Sequence, residues 1–395
     1  MRAGGLPGRT IRPILARDKG GRHMTAFALP STDLASAGLR EEQIDRLVTL
    51  IEGHIKDGHY PGAQIAIARN GALALSRTFG NATLDRKADD RTLWLLFSNT
   101  KVVTAAALWI LAEQGKFRFT DRLSQHVPEF ARNGKQDVTI LDIMTHRGGF
   151  PSAVVPQKAW EDHKLLRETV CNFSLEWTPG SKLYYHGATA HWAAAVLIEQ
   201  VTGKDFRDVI RDTVIAPLGL QDELFVGMPR AAMARTADMH EPGEHGLQLM
   251  ADRNTPAFKK AGIPGGGGYA TARAMATLYQ MMLNGGALGS TRILSPRTLG
   301  YAIRNWTGDM VDEFMGMPMH RGIGPHLRGT TPTIRGLGSF ASPRTFGHGG
   351  AGNSYVWADP DSGVSFAYLT NCRVPDPWHS QRLDLVSNFV HTAIL

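Results

Sequence analysis

The sequence predicts an α/β fold of the α+β kind. One antiparallel sheet is flanked by helices, and an all-α segment is inserted into it. Three observations carry this expectation. Asn70-Gly71 joins two short apolar runs near the start of the chain, and that dipeptide is the strongest short hairpin signal. A second strand–turn–strand pattern lies near the end: Ser354–Trp357, the turn Asp359–Gly363, then Val364–Leu369. Between them, from about residue 120 to 260, the periodicity is mainly helical with long loops. Strands from both ends would then share one sheet.

Each element has a local reason. Ile44, Leu47, Val48, Ile51 and Ile55 form a 3.6-residue stripe ending at Gly58, the mark of an amphipathic helix. Gln64–Ala68 and Leu73–Ser76 are the two hairpin arms. Val102–Gly115 is dense in Ala and Leu and carries Trp109, which reads as a buried helix. His191–Val201 is a helix closed by Gly203, and Ala270–Asn284 is another, after the run Pro264–Gly268. A last amphipathic helix uses Leu383, Leu385, Val386, Phe389, Val390 and Ile394. The expected division is a leader at 1–23, an α/β domain from 24–97 and 260–395, and a mainly helical insertion at 98–259.

The 395 residues are 43% hydrophobic and 20% charged, which excludes a mostly disordered chain. The net charge of +7 raises a polyanionic partner. Its distribution removes that reason. Residues 1–23 hold Arg2, Arg9, Arg12, Arg17, Lys19 and Arg22 against Asp18, leaving only +2 for the rest. Neither nucleic acid nor a membrane surface is expected as a partner. The leader lacks the apolar stretch of a signal peptide, because Arg12, Pro13 and Arg17 interrupt Ile11, Ile14 and Leu15. Gly20–Met24 ends in the His-Met pair that a common cloning site encodes, so the leader reads as an added or poorly ordered extension with the native start near Met24. No window reaches the roughly 18 apolar residues of a membrane span. Cys171 and Cys372 make no disulfide framework, which fits a reducing, cytoplasmic setting.

The chemistry concentrates at Phe97-Ser98-Asn99-Thr100-Lys101, at the start of the buried helix. Positions i and i+3 share a helix face, so Ser98 Oγ and the Lys101 amine can meet. A serine hydroxyl needs a base beside it. A buried lysine can serve, since desolvation disfavours its charged form. Free N–H groups at the helix start suit a developing oxyanion. Ser-x-x-Lys alone also describes an ordinary solvated helix start.

Three further segments narrow the choice: Leu141–Gly149 with His146, Pro179–Gly187 with Tyr184 and Tyr185, and Phe346–Gly352 with His348-Gly349-Gly350. With Ser98-x-x-Lys101, in this order, the chain resembles the serine β-lactamase and penicillin-binding superfamily over about residues 35–395. Its class C-like branch, including the family VIII carboxylesterases, is the nearest likeness. The resemblance implies the β-lactamase-like fold, with the site between the sheet domain and the helical one. It implies Ser98 as nucleophile, Lys101 as general base and Tyr185 as proton relay, with Tyr184 the rival. It implies an oxyanion hole from the backbone N–H groups of Ser98 and Ala351. Substrate would be bound by His348, Gly349 and Gly350, with Trp357 as a pocket wall or plain packing.

Two departures matter. His186 and Gly187 follow Tyr185 where the β-lactamases carry an Asn, and His348 stands where they carry a cationic Lys. Both favour a serine carboxylesterase acting on small, less charged esters. β-Lactamase or D,D-peptidase activity, and acyl transfer from the same acyl-enzyme, are the other readings. A catalytically inactive binding protein is the non-enzymatic one. No cofactor and no metal is expected. His240–His245 lacks the zinc-protease spacing, and Pro242-Gly243 would break its helix.

Overall fold

The hairpin at Asn70-Gly71 forms as its composition demands. Both residues take positive φ, 51° and 83°, the geometry of a type I′ turn. It joins β1 (Gly62–Arg69) to β2 (Ala72–Gly80). The structure, a computed structural model, describes residues 29–332 and 336–395. The expected leader and the start near Met24 lie outside the described residues.

Five further strands complete the sheet: β3 (His320–Arg321), β4 (His326–Leu327), β5 (Phe346–Gly349), β6 (Tyr355–Asp359) and β7 (Val364–Thr370). The order is β3-β4-β5-β6-β7-β1-β2, with antiparallel neighbours throughout. Ile65 sits opposite Tyr368 and Ala66 opposite Ala367, so the two ends of the chain meet in mid-sheet.

Successive strand residues point to opposite faces, and this sorts the core in two. Ile65, Ile67, Trp357, Phe366 and Tyr368 pack against α1 (Glu41–Lys56) and a C-terminal helix (Trp378–Ala393). Ala66, Ala68, Val356, Ala358 and Ala367 belong to the core on the other side. That core also holds α2 (Thr100–Glu113) and the helix Ala272–Leu283. The small alanines on this face let the helix backbone approach closely. α2 is buried from Thr100 to Leu111, and Trp109 Nε1 donates to the Ile323 carbonyl at 2.9 Å.

The structure departs from the sequence expectation in several places, one being the hairpin His240–Gly243 with Gly246–Leu249 inside the segment read as mainly helical. The segment read as helical contains a short strand, Leu224–Val226. It pairs with Gly268–Ala270, which pairs in turn with Trp94–Leu95 just before Ser98. Phe346–Gly349, ahead of the expected strand Ser354–Trp357 and given no element in the sequence reading, is itself a strand. Its glycines hide any apolar alternation, and pairing of Gly347 and His348 with Trp357 and Val356 decides its conformation. Among the described residues no helix is long and apolar enough to cross a membrane.

Candidate active site

Ser98 lies in a 3-10 turn, Phe97–Asn99, that runs directly into α2. Phe97 has φ +42°, a conformation that a bulky side chain resists. Thr100 holds the turn in place: its Oγ1 donates to the Phe97 carbonyl at 2.6 Å and accepts from the Gly268 N–H at 2.9 Å.

Lys101 is fully buried one turn further on. Its Nζ lies 3.2 Å from Ser98 Oγ and 2.7 Å from each of the Gly187 and Gly265 carbonyls. Burial, aided by the Arg321 guanidinium, pushes its pKa down to about 7. A neutral amine has two N–H groups and one lone pair. With the two N–H groups given to the carbonyls, the lone pair faces the Ser98 hydroxyl. Gly265 leaves room for this approach, since a Cβ there would sit tightly, 3.3 Å from both Lys101 Nζ and His191 Cβ.

Tyr185 OH donates to Ser98 Oγ at 2.8 Å. Its ring centroid is 5.1 Å from Lys101 Nζ and 4.7 Å from the His146 ring. Burial pushes its phenol up to about 12, so it carries its proton near neutrality. Tyr184 turns away, with its ring 5.5 Å from Trp177 and 5.7 Å from Phe314.

The segment after β5 is pinned to the Ser98 turn by two asparagines. Asn353 Nδ2 donates to the Leu95 carbonyl at 2.7 Å, and Asn99 Nδ2 donates to Ser354 Oγ at 2.9 Å. A Cβ at Gly350 would collide with the Asn353 and Ser354 side chains and lie 2.8 Å from the Leu96 carbonyl. The contact between segments therefore needs a glycine there. Ala351 follows, exposed at the turn.

The histidines of the site are buried and neutral. Burial pushes His186 down to about 4 and drives His146, His191 and His348 well below their ordinary value. His348 Nδ1 bonds the Gly349 carbonyl at 2.8 Å, and its Nε2 has no hydrogen-bond partner among the described residues. His186 is spent internally: Nε2 accepts from the Phe150 N–H at 3.2 Å, and Nδ1 donates to the Tyr184 carbonyl at 2.7 Å.

Trp357 is not brought to this site. It sits on the opposite face of the sheet, stacked on His391 at 4.2 Å, with Nε1 donating to Ser387 Oγ at 3.0 Å. The reason is strand parity: His348 pairs with Val356, so the next residue, Trp357, points the other way. Two other tryptophans lie elsewhere: Trp160 packs on Phe258 and Trp177 stands beside Tyr184.

Two site residues carry no local sequence signal. Asp312 and Arg321 form a buried ion pair. Asp312 Oδ1 also accepts from the backbone N–H groups of Tyr185 and Phe314, both at 3.1 Å. They flank a methionine-rich stretch whose spacing has no readable code, and only folding sets them against Tyr185.

Away from the site, His163, Glu199 and Asp205 place ligand-type atoms within 4.8 Å of one another. Arg207 shares that cluster, donating to Asp205 at 2.7 Å and lying 3.3 Å from His163 Nε2. The Asp205 carboxylate is thus already matched by Arg207, and Glu199 bonds the His163 ring at 2.7 Å.

A family model described as Beta-lactamase matches residues 47–388. An esterase/beta-lactamase of Mycobacterium tuberculosis, LipL, is 29% identical over 308 residues, covering 70% of this chain and 68% of that protein. A family VIII carboxylesterase structure superposes with TM-score 0.76 at 25% identity, covering 90% of this chain and 99% of its own. A penicillin-binding protein homologue from Caulobacter crescentus superposes with TM-score 0.75 at 26% identity, covering 89% and 99%.

Proposed function

The chain belongs to the beta-lactamase family, and from that premise we propose that it is a serine carboxylesterase cleaving small, uncharged esters through an acyl-enzyme on Ser98. The observation that carries the reading is the contact set at Ser98 Oγ: Tyr185 OH at 2.8 Å and a buried Lys101 amine at 3.2 Å.

Neutral Lys101 takes the Ser98 proton as Oγ attacks the ester carbonyl carbon. The backbone N–H groups of Ser98 and Ala351 stabilise the oxyanion that forms. When the C–O bond breaks, Tyr185 protonates the departing alkoxide and is reprotonated from Lys101, so the alcohol leaves. Water then attacks the acyl-Ser98 by the reverse route. It releases the carboxylic acid and restores Ser98.

The preference for esters rests on charge. The position that would meet a substrate carboxylate holds His348, neutral and buried. The His186 ring nitrogens are both engaged, so that residue offers no side-chain grip on a substrate amide. The two free, buried thiols, Cys171 and Cys372, support a cytoplasmic setting.

The test is turnover of a small chromogenic ester beside a chromogenic cephalosporin, with Ser98→Ala as control. Ester turnover well above cephalosporin turnover, lost in Ser98→Ala, is the expected result. Comparable turnover of both would overturn the ester preference. Ester turnover that survives in Ser98→Ala would overturn the nucleophile.

A further inference from the structure

We propose that the buried Asp312–Arg321 pair is a positioning and charge-setting unit for the reactive centre, with Arg321 on β3 acting on Lys101 and Tyr185 and Asp312 fixing the Tyr185 segment. The inference rests on the reading of Ser98, Lys101 and Tyr185 given above.

Geometry is the first support. Arg321 is almost fully buried, and its guanidinium carbon lies 5.1 Å from the Tyr185 ring centroid. Its Nη2 pairs with Asp312 Oδ2, and its Nη1 lies 2.8 Å from His326 Nε2. The His326 ring is in turn 4.0 Å from the His348 ring. The cation therefore reaches the centre from two strands beyond β5, with the imidazole of His326 beside it.

Asp312 does a second job. Its Oδ1 accepts from the backbone N–H groups of Tyr185 at 3.1 Å, Phe314 at 3.1 Å and Met315 at 3.3 Å. The carboxylate that holds Arg321 also fixes the segment that aims Tyr185 at Ser98. A buried arginine is costly unless paired and hydrogen-bonded, so the placement calls for a reason beyond packing.

Charge is the second support. The titratable groups facing Lys101 and Tyr185 are His146, His186 and His191, with His348 from β5, Asp312 from the short strand Val311–Asp312 and Arg321 from β3. The four histidines are neutral through burial. That leaves Arg321 and Asp312 as the charges acting on the pair, with the guanidinium over the Tyr185 ring. A cation there disfavours a second cation on Lys101 and favours a phenolate on Tyr185. Both effects help the base to be unprotonated and the relay to pass its proton.

The experiment is the pH dependence of Ser98 labelling by a fluorophosphonate probe, a readout independent of any ester, in three variants. Arg321→Gln should move the acid limb up by about one unit and slow labelling at pH 7 about five-fold. Asp312→Asn keeps the Oδ1 acceptor but frees Arg321 of its counter-charge, so its limb should move down. Arg321→Lys, which keeps the charge, should return the limb close to the wild-type position. Opposite shifts in Arg321→Gln and Asp312→Asn support the proposal, and either shift alone suffices if the other variant does not fold. Slower labelling with an unmoved limb in every folded variant would show a purely structural role and overturn it. Wild-type protein whose Ser98 is never labelled would sink the esterase reading, and this inference with it.

Discussion

The two faces of the sheet each bury a cation, and they treat it differently. On the α2 face, Lys101 is held by two carbonyls and a hydroxyl, and burial brings it down to about 7. On the other face, Arg382 of the C-terminal helix is buried among the rings of Trp378, Tyr60 and Tyr368, at 5.0, 5.1 and 5.6 Å. It donates to the Gly352 carbonyl at 2.9 Å. An amine can shed its proton when desolvated, whereas a guanidinium in a protein does not. The amine therefore suits chemistry. The guanidinium suits holding a loop, here the one that carries Ala351.

This contrast can be broken most severely at Lys101. Lys101→Met should lower ester kcat/KM by about 10³–10⁴-fold while circular dichroism stays native. Turnover near the wild-type level would remove the amine from the mechanism. The pH profile sharpens the same point. The base must be unprotonated, so wild-type kcat/KM should rise with pH through about 7, and a limb near pH 10 would mean that the amine is not desolvated in solution. Next in size comes the tyrosine pair. Tyr185→Phe should cost about 10²–10³-fold in kcat, and Tyr184→Phe should leave kcat nearly unchanged; the reverse pattern would exchange their roles.

On the structural face the effects should be on stability. Arg382→Leu should cost about 1–3 kcal/mol in urea unfolding and leave the acid limb near pH 7. A shifted limb there would mean that the two faces are electrically coupled. Trp357→Phe is the smallest change, about 1–2 kcal/mol from lost volume and a lost hydrogen bond, with KM unaltered. A change in ester KM would return Trp357 to the pocket.

Much of the site is legible in the chain because its chemistry is local. Ser98 and Lys101 are three apart on one helical face, and the segments around His146, Tyr185 and His348 keep recognisable order. Legibility stops where parity or distance decides. Trp357 is one residue from the Val356 that pairs with His348, and one residue is enough to send it through the sheet. Arg321 is nine residues from Asp312, in a stretch whose methionines say nothing about charge.

By itself, the sequence determined the hairpin at Asn70-Gly71, the buried helix after Ser98, and the Ser98 hydroxyl and Lys101 amine that meet there. These depend on backbone preferences over a few residues. The tertiary structure decided which tyrosine reaches Ser98 and where the second cation comes from. It also decided what disarms the first one. The carbonyls that take the Lys101 protons lie 86 and 164 residues away along the chain. Desolvation is a property of what packs around a group, and only the folded chain brings those carbonyls to the amine.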